Sequence, residues 1–196
     1  MLEASTGGGA LARGPSDSAP SPSRAAAYSP VRMATMADEE AIIAMLRLMH
    51  KEAGMRDYNN EPFPLCEEKM RASVQRAIIP RRNDPSAIQL CCGVIGTSSQ
   101  IEASICLGVA SDWYSDTQYI GDMWNYVSPQ FRRHTRHART LIAFAKTLAD
   151  TLHMSLRLAN VGVERIEAKD RFLARELGAK PIGQHFVYHP QPLRAF

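Results

Sequence analysis

Four arginines and two histidines crowd the turn between a strand pattern and a helix pattern in the stretch Tyr119–Lys146, YIGDMWNYVSPQFRRHTRHARTLIAFAK. Tyr119 to Val127 is rich in aromatic and β-branched residues, which favours an extended strand. Ser128-Pro129 ends it, because proline cannot donate to a ladder. The basic run Arg132, Arg133, His134, Thr135, Arg136, His137 and Arg139 comes next. Behind it Ala138 to Leu152 reads as a helix with Leu141, Ala145, Leu148, Ala149 and Leu152 on one face. First-turn N–H groups lack intrahelical partners, the helix dipole is positive there, and guanidinium groups add charge-assisted hydrogen bonds. The bend is therefore a candidate pyrophosphate cradle, with a solvated basic face as the plainer alternative. Its place between strand and helix favours phosphate.

Val127-Ser128-Pro129, Arg132-Arg133, Ala138 and Leu141-Ile142 resemble the acetyl-CoA-binding segment of the GNAT N-acetyltransferases. The family pattern is V-x-P, then R/Q-x-x-G-x-G/A, then a helix. Arg133 falls at the R/Q position, Arg136 at the first glycine and Ala138 at the final G/A, with one extra residue between Pro129 and Arg133. The absent glycine departs from the pattern, since that glycine lets backbone approach the diphosphate. An R-R-x-x-x-x-A form found in many phage and prophage members is closer to this sequence.

The chain has 196 residues, 45% of them hydrophobic, enough for one domain with a sizeable core. A formal net charge of +3 is too mild to argue for nucleic acid by itself. No apolar run reaches the length of a membrane span, so a soluble protein is expected. Cys66, Cys91, Cys92 and Cys106 show no C-x-x-C spacing and no paired histidines. That pattern predicts reduced thiols, no metal and a cytoplasmic location, in a bacterial or phage-infected cell if the resemblance holds.

Residues 1–28 are rich in Gly, Ala, Ser and Pro without apolar periodicity and are expected to form a disordered tail. A targeting peptide is the alternative, though no apolar segment follows Arg13 or Arg24. Residues 29–196 are expected to form the single domain. Val31–Thr35 reads as a strand, and Thr35 with Asp38 as a capping box. The helix behind it carries Ile42, Ile43, Met45, Leu46, Leu48 and Met49 and ends at Gly54. A second helix is predicted from Leu65 to Ile78, and Pro80 to Pro85 reads as a turn. Ala87–Ile95 and Ile101–Ala110 read as a hairpin around Gly96-Thr97-Ser98-Ser99. Trp113 and Tyr114, in the next connection, read as packing residues. After the central strand and helix come a strand from Met154 to Asn160, a helix from Ile166 to Leu177 capped by Gly178, and one or two strands over Lys180–His189. The order suits an α/β (α+β) fold with a mixed, largely antiparallel sheet flanked by helices. It matches the GNAT order from Val31 to Tyr188.

The resemblance implies a splay between the central strand and the next one. A β-bulge opens it, and the pantetheine arm of acetyl-CoA lies in the gap. Asn125, Tyr126 and Val127 would form one wall and Leu158 to Asn160 the other. Asn160 is a further cofactor candidate, with a turn asparagine as its alternative. Asp122 stands nearest the position where the family often carries a glutamate base, and a structural role for it is equally open. His185, Tyr188 and His189 are alternative proton relays. Ala174 occupies the position where the family commonly places a tyrosine acid, leaving Tyr126 as the substitute. Tyr58, Asn59 and Phe63, with Arg56, fall where the acceptor pocket is expected.

The expectation is an acyl-CoA-dependent N-acyltransferase, with acetyl-CoA as cosubstrate and a small-molecule or peptide amine as acceptor. A homodimer is left open. A non-catalytic protein with the same fold is one rival, favoured by Ala174 and the missing glycine. A nucleic-acid binder is the other, disfavoured by the modest charge and the lack of interleaved aromatics.

Overall fold

A computed structural model describes residues 30–54, 61–79, 90–160 and 166–179. Among the described residues, five strands form one sheet in chain order: β1 (Arg32–Met33), β2 (Leu90–Thr97), β3 (Gln100–Ser111), β4 (Gln118–Val127) and β5 (Ser155–Arg157). The first four run antiparallel to their neighbours, and β5 lies parallel to β4. A parallel neighbour needs a crossover connection. Here that crossover is α3 (His137–Leu152). Helices α1 (Glu39–Ala53) and α2 (Glu67–Ile78) precede the hairpin, and α4 (Ile166–Leu177) follows β5.

Each sheet face carries its own apolar cluster. Ile42, Ile43 and Leu46 of α1 and Val74 of α2 pack on Val94, Cys106, Trp124 and Tyr126. On the opposite face Leu141, Ala145 and Ala149 of α3 pack on Ile95, Ile105, Leu107 and Ile120. Both faces are covered, so β3 reads as a nearly continuous apolar run, because every second side chain meets a helix on either side. Burying one such Leu or Ile contributes about 1.5–3 kcal/mol.

Two register shifts divide the strands between these clusters. Opposite Ile95–Gly96, β3 gains one residue at Glu102, which moves Ile101 to the α1/α2 face. Opposite Cys106–Leu107, β4 gains one residue at Met123. A bulge of this kind reverses the alternation beyond it. Ile120 therefore faces α3, while Trp124 and Tyr126 face α1 and α2.

The N-terminal entry is pinned by one buried carboxylate. Asp38 is fully buried, and its oxygens accept from Arg32 Nη1 and Nη2 at 2.8 and 2.6 Å and from the Thr35 backbone N–H at 2.8 Å. This is the expected Thr35–Asp38 box with Arg32 added. Gly54 and Gly178 close α1 and α4 in left-handed conformations with φ 61° and 66°, as their glycines suggest. His153 closes α3 at φ 53°, a cap the sequence does not advertise.

The helices fall where expected, to within about two residues at each end. The strand expected from Met154 to Asn160 is shorter, Ser155–Arg157, because β4 and β5 pair only from Tyr119 to Gly121. Trp113 and Tyr114 do not pack in the core as expected. They are 95% and 71% exposed and contact each other edge to face at 5.4 Å between ring centres. The tail 1–28, the turn Pro80–Pro85 and the final strands over Lys180–His189 lie outside the described residues.

The Arg32 guanidinium holds the Asp38 carboxyl far below the usual carboxylate range, outweighing burial. A carboxyl whose folded pKa is depressed contributes stability above its unfolded pKa, near 4, and loses it as pH falls further. Arg32→Met leaves the charge buried with only neutral partners, Thr35 and Ser98, and is expected to cost about 3 kcal/mol at pH 7. Urea unfolding at pH 7 and at pH 3 measures this, with a smaller difference between variant and wild type at the lower pH.

Candidate functional site

Strand β4 meets β5 at Tyr119–Ser155, Ile120–Leu156 and Gly121–Arg157, and the pairing stops there. Beyond that point β4 runs on to Val127 with β3 as its one neighbouring strand among the described residues. The Ser128 N–H donates to Glu102 O at 2.9 Å. Alternation along an antiparallel ladder then turns the N–H and C=O groups of Tyr126 toward β3 and those of Asn125 and Val127 away from it. The Val127 carbonyl bears this out by accepting from Arg132 Nε at 2.8 Å, outside the sheet. A wedge with unladdered backbone on one wall thus opens after Gly121.

Asp122 sits at its apex. Its Oδ1 accepts the Ala159 N–H at 2.8 Å, tying the two strands across the point where they part. Burial pushes its carboxyl above the usual carboxylate range, against the two backbone N–H groups that lower it. Asp122 stands opposite Leu107, on the α3 face, so the Met123 bulge sets it and Tyr126 on opposite faces of the sheet. The two catalytic candidates border the wedge without touching each other.

The Tyr126 hydroxyl is buried, with the residue only 7% exposed, and has no hydrogen-bond partner among the described residues. Burial and the nearby Glu52 carboxylate push the phenol up to about 12. Arg132 lies 4.9 Å above its ring and pairs through Nη2 with Glu52 Oε2 at 2.6 Å. A buried hydroxyl without a partner is costly, and such groups concentrate where a ligand completes them.

The basic bend follows. Pro129–Phe131 forms one turn of 3-10 helix, and α3 starts at His137. The first bond of α3 is Thr140 N–H to Arg136 O at 3.0 Å, and the His137 N–H reaches Thr135 Oγ1 at 3.4 Å. The Ala138 and Arg139 N–H groups are left without partners among the described residues, at the positive end of a helix of 16 residues. An open pocket of about 310 Å³ lies against this end, lined by Arg132, Thr135, Arg136, Ala138, Arg139 and Phe172. Arg136 has φ −102°, ordinary for any L-residue, so the backbone conformation of the bend does not itself require glycine there.

The basic side chains divide by partner. Arg133, His134 and Arg136 are exposed and have no ion pair among the described residues, which leaves the two guanidinium charges for an anion. Arg139 bonds Glu176 of α4 at 3.1 Å. His137 turns inward, 5% exposed, with Nε2 at 2.5 Å from Glu102 Oε2. Its imidazole pegs α3 to the bulged residue of β3. The Thr135 hydroxyl donates to Phe131 O at 2.6 Å and shapes the bend.

Asn125 and Val127 are half-buried along the wedge. Asn160 Nδ2 donates to Ile166 O and Asp170 Oδ1 at 3.1 and 2.8 Å, so its amide anchors α4. Phe63 is 39% exposed just ahead of α2. Tyr58, Asn59 and Arg56, and the relays His185, Tyr188 and His189, lie outside the described residues. Glu52 and Phe172 were missed by sequence reasoning. Each is an ordinary helix position until the tertiary fold delivers it. Among the described residues no three His, Cys, Asp or Glu side chains gather as metal ligands, and no helix is long and apolar enough to cross a membrane.

Comparison of the sequence with protein-family models and with curated proteins finds no match. Solved structures do match. A "possible acetyltransferase" from Clostridium difficile 630 superposes with TM-score 0.57 at 17% identity, covering 83% of this chain and 97% of that one. A predicted acetyltransferase with acetyl-CoA from Clostridium acetobutylicum gives 0.58 at 13% identity, covering 81% and 94%. AAC(6')-Iy, in complex with a CoA-linked bisubstrate analogue, gives 0.57 at 12%, covering 84% and 99%. The fold is that of the GNAT acetyltransferases. At these identities the likeness carries the GNAT fold and not the acceptor.

Removing the stranded phenol oxygen should relieve a buried desolvation cost. Tyr126→Phe is therefore expected to hold or raise stability, by up to about 1 kcal/mol, in thermal unfolding of the unliganded protein. A clear loss of stability would mean that the hydroxyl has a partner in the folded chain.

Proposed function

We propose that the chain is an acyl-CoA-dependent N-acyltransferase that passes an acetyl group from acetyl-CoA to a primary amine by direct attack in a ternary complex. The observation that carries this reading is the wedge after Gly121, with unladdered β4 backbone on one wall and the basic start of α3 beyond its end. The acceptor class is a small-molecule or peptide amine, in keeping with the neighbours of this fold. The arginine-rich bend aligns the chain with the phage and prophage form of the family. Four free thiols, with Cys92 pushed up to about 11 by burial, suit a reducing cytoplasm.

Residues present fit such a cosubstrate. Arg133, Arg136 and the Ala138 and Arg139 N–H groups would hold a diphosphate, and the outward N–H and C=O groups of Asn125 and Val127 would receive an amide-bearing arm as an added strand does. When bound, acetyl-CoA supplies the acyl group as a thioester open to attack by an amine. Asp122 Oδ1 is engaged with Ala159, leaving Oδ2 to take a proton from the amine directly or through water. Its raised pKa makes it a better base than an exposed aspartate. The Tyr126 phenol, raised to about 12, keeps its proton at neutral pH and can release it toward a departing sulfur. Ala174, where a tyrosine acid is common, favours a second reading in which the fold binds the cofactor without turnover.

Isothermal titration with coenzyme A should give a dissociation constant in the micromolar range. Arg133→Ala and Arg136→Ala should each weaken it about tenfold, the value of a charge-assisted bond. Thiol release over an amine panel separates the two readings. Asp122→Asn, which keeps an oxygen for Ala159, should lower turnover about 100-fold with coenzyme A affinity unchanged. No binding at millimolar coenzyme A contradicts the proposal, and binding without transfer supports the second reading.

A further inference from the structure

One guanidinium is claimed from two sides. Arg132 lines the pocket at the start of α3, where the proposed diphosphate would sit. Its Nη2 is nevertheless drawn to Glu52 Oε2 at 2.6 Å, and Glu52 belongs to the last turn of α1, which packs on the opposite sheet face from α3. Its Nε holds the Val127 carbonyl at 2.8 Å, and its plane covers the ring of Tyr126 at 4.9 Å. Arg132 therefore closes over both groups that the proposed reaction needs open: the outward backbone of β4 and the unpartnered phenol.

Of the three contacts that hold Arg132 in this posture, the pair with Glu52 is the one between opposite charges. Arg136 lines the same pocket as Arg132, and neither it nor the exposed Arg133 has a carboxylate on it among the described residues. Among the described residues of the bend, Arg132 is the one with an ion pair to α1. The pair is about 40% exposed on both sides, at 42% and 39%, so its net strength is that of a surface pair, which a doubly charged diphosphate can outbid.

We propose that Glu52 is a positioning residue for the phosphate site, holding Arg132 back from the start of α3 in the empty protein and yielding it to the cosubstrate's diphosphate on binding. The transfer uncovers Tyr126 and the Val127 carbonyl only when the cradle is filled. It leaves the Glu52 carboxylate unpaired at the end of α1. This inference rests on the acyltransferase reading.

Coenzyme A affinity in a double-mutant cycle tests it. Glu52→Gln removes the competitor and should tighten coenzyme A binding about two- to fivefold, the worth of a surface ion pair. Glu52→Asp, a methylene shorter, should tighten it by part of that factor. In an Arg132→Ala background Glu52→Gln should change nothing. Circular dichroism and thermal unfolding establish that each variant is folded. Equal or weaker binding by Glu52→Gln, with wild type binding normally, overturns the role of Glu52 alone. Equal tightening in both backgrounds overturns the route through Arg132 and indicates general repulsion between carboxylate and diphosphate. No wild-type binding at all overturns the acyltransferase reading, and this inference with it.

Discussion

A strand inside a sheet has two rows of N–H and C=O groups to satisfy. Among the described residues, β4 satisfies one row along its length and ladders the other only as far as Gly121. Leaving such groups without partners is expensive when they are shielded from water, so a folded chain seldom does it without use. The device that creates the gap is a single extra residue, Met123, whose bulge bends β4 away from β5. Asp122 stops the gap from spreading toward the N-terminal half of the strand by accepting the Ala159 N–H across its apex. One bulge and one carboxylate thus set where the wedge begins.

The rest of the structure is arranged about that opening. Helix α3 is the crossover that a parallel β4–β5 pair demands, and its N-terminus therefore falls at the C-terminal end of β4. The same connectivity that opens the wedge thus puts a helix dipole and unpaired N–H groups beyond its end. His137 and Glu102 fix that helix start against the sheet, joining the bulged residue of β3 to the first turn of α3. Two helices on the other face bring the end of α1, with Glu52, alongside Tyr126 and Arg132. Electrostatic and backbone provisions for an anionic, amide-bearing ligand therefore follow from topology before any side chain is chosen for chemistry.

Sequence reading reached this arrangement unevenly. Helix α4 was legible to the residue because its apolar period, Gly178 and flanking turn chemistry agree. The strand–bend–helix order was legible because proline and clustered charge interrupt two different periodicities. Met123 was not, since a bulge is a misfit between two strands and leaves no mark in either alone. Trp113 and Tyr114 misled for a related reason: large aromatics are usually buried, and their exposure depends on where a β3–β4 connection projects. Arg136 stands where the family pattern has a glycine, and its negative φ shows that the bend's conformation does not demand one. Glu52 was invisible for want of a partner close in sequence; Arg132 lies 80 residues away.

The most direct measurement of the central claim is residue-resolved amide hydrogen exchange along β4, with and without coenzyme A. The account predicts fast exchange at Asn125 and Val127 in the empty protein, slow exchange at Tyr126 between them, and marked slowing at Asn125 and Val127 when coenzyme A is added. Uniform protection of all three amides without ligand, or no change at Asn125 and Val127 on saturation, would contradict it.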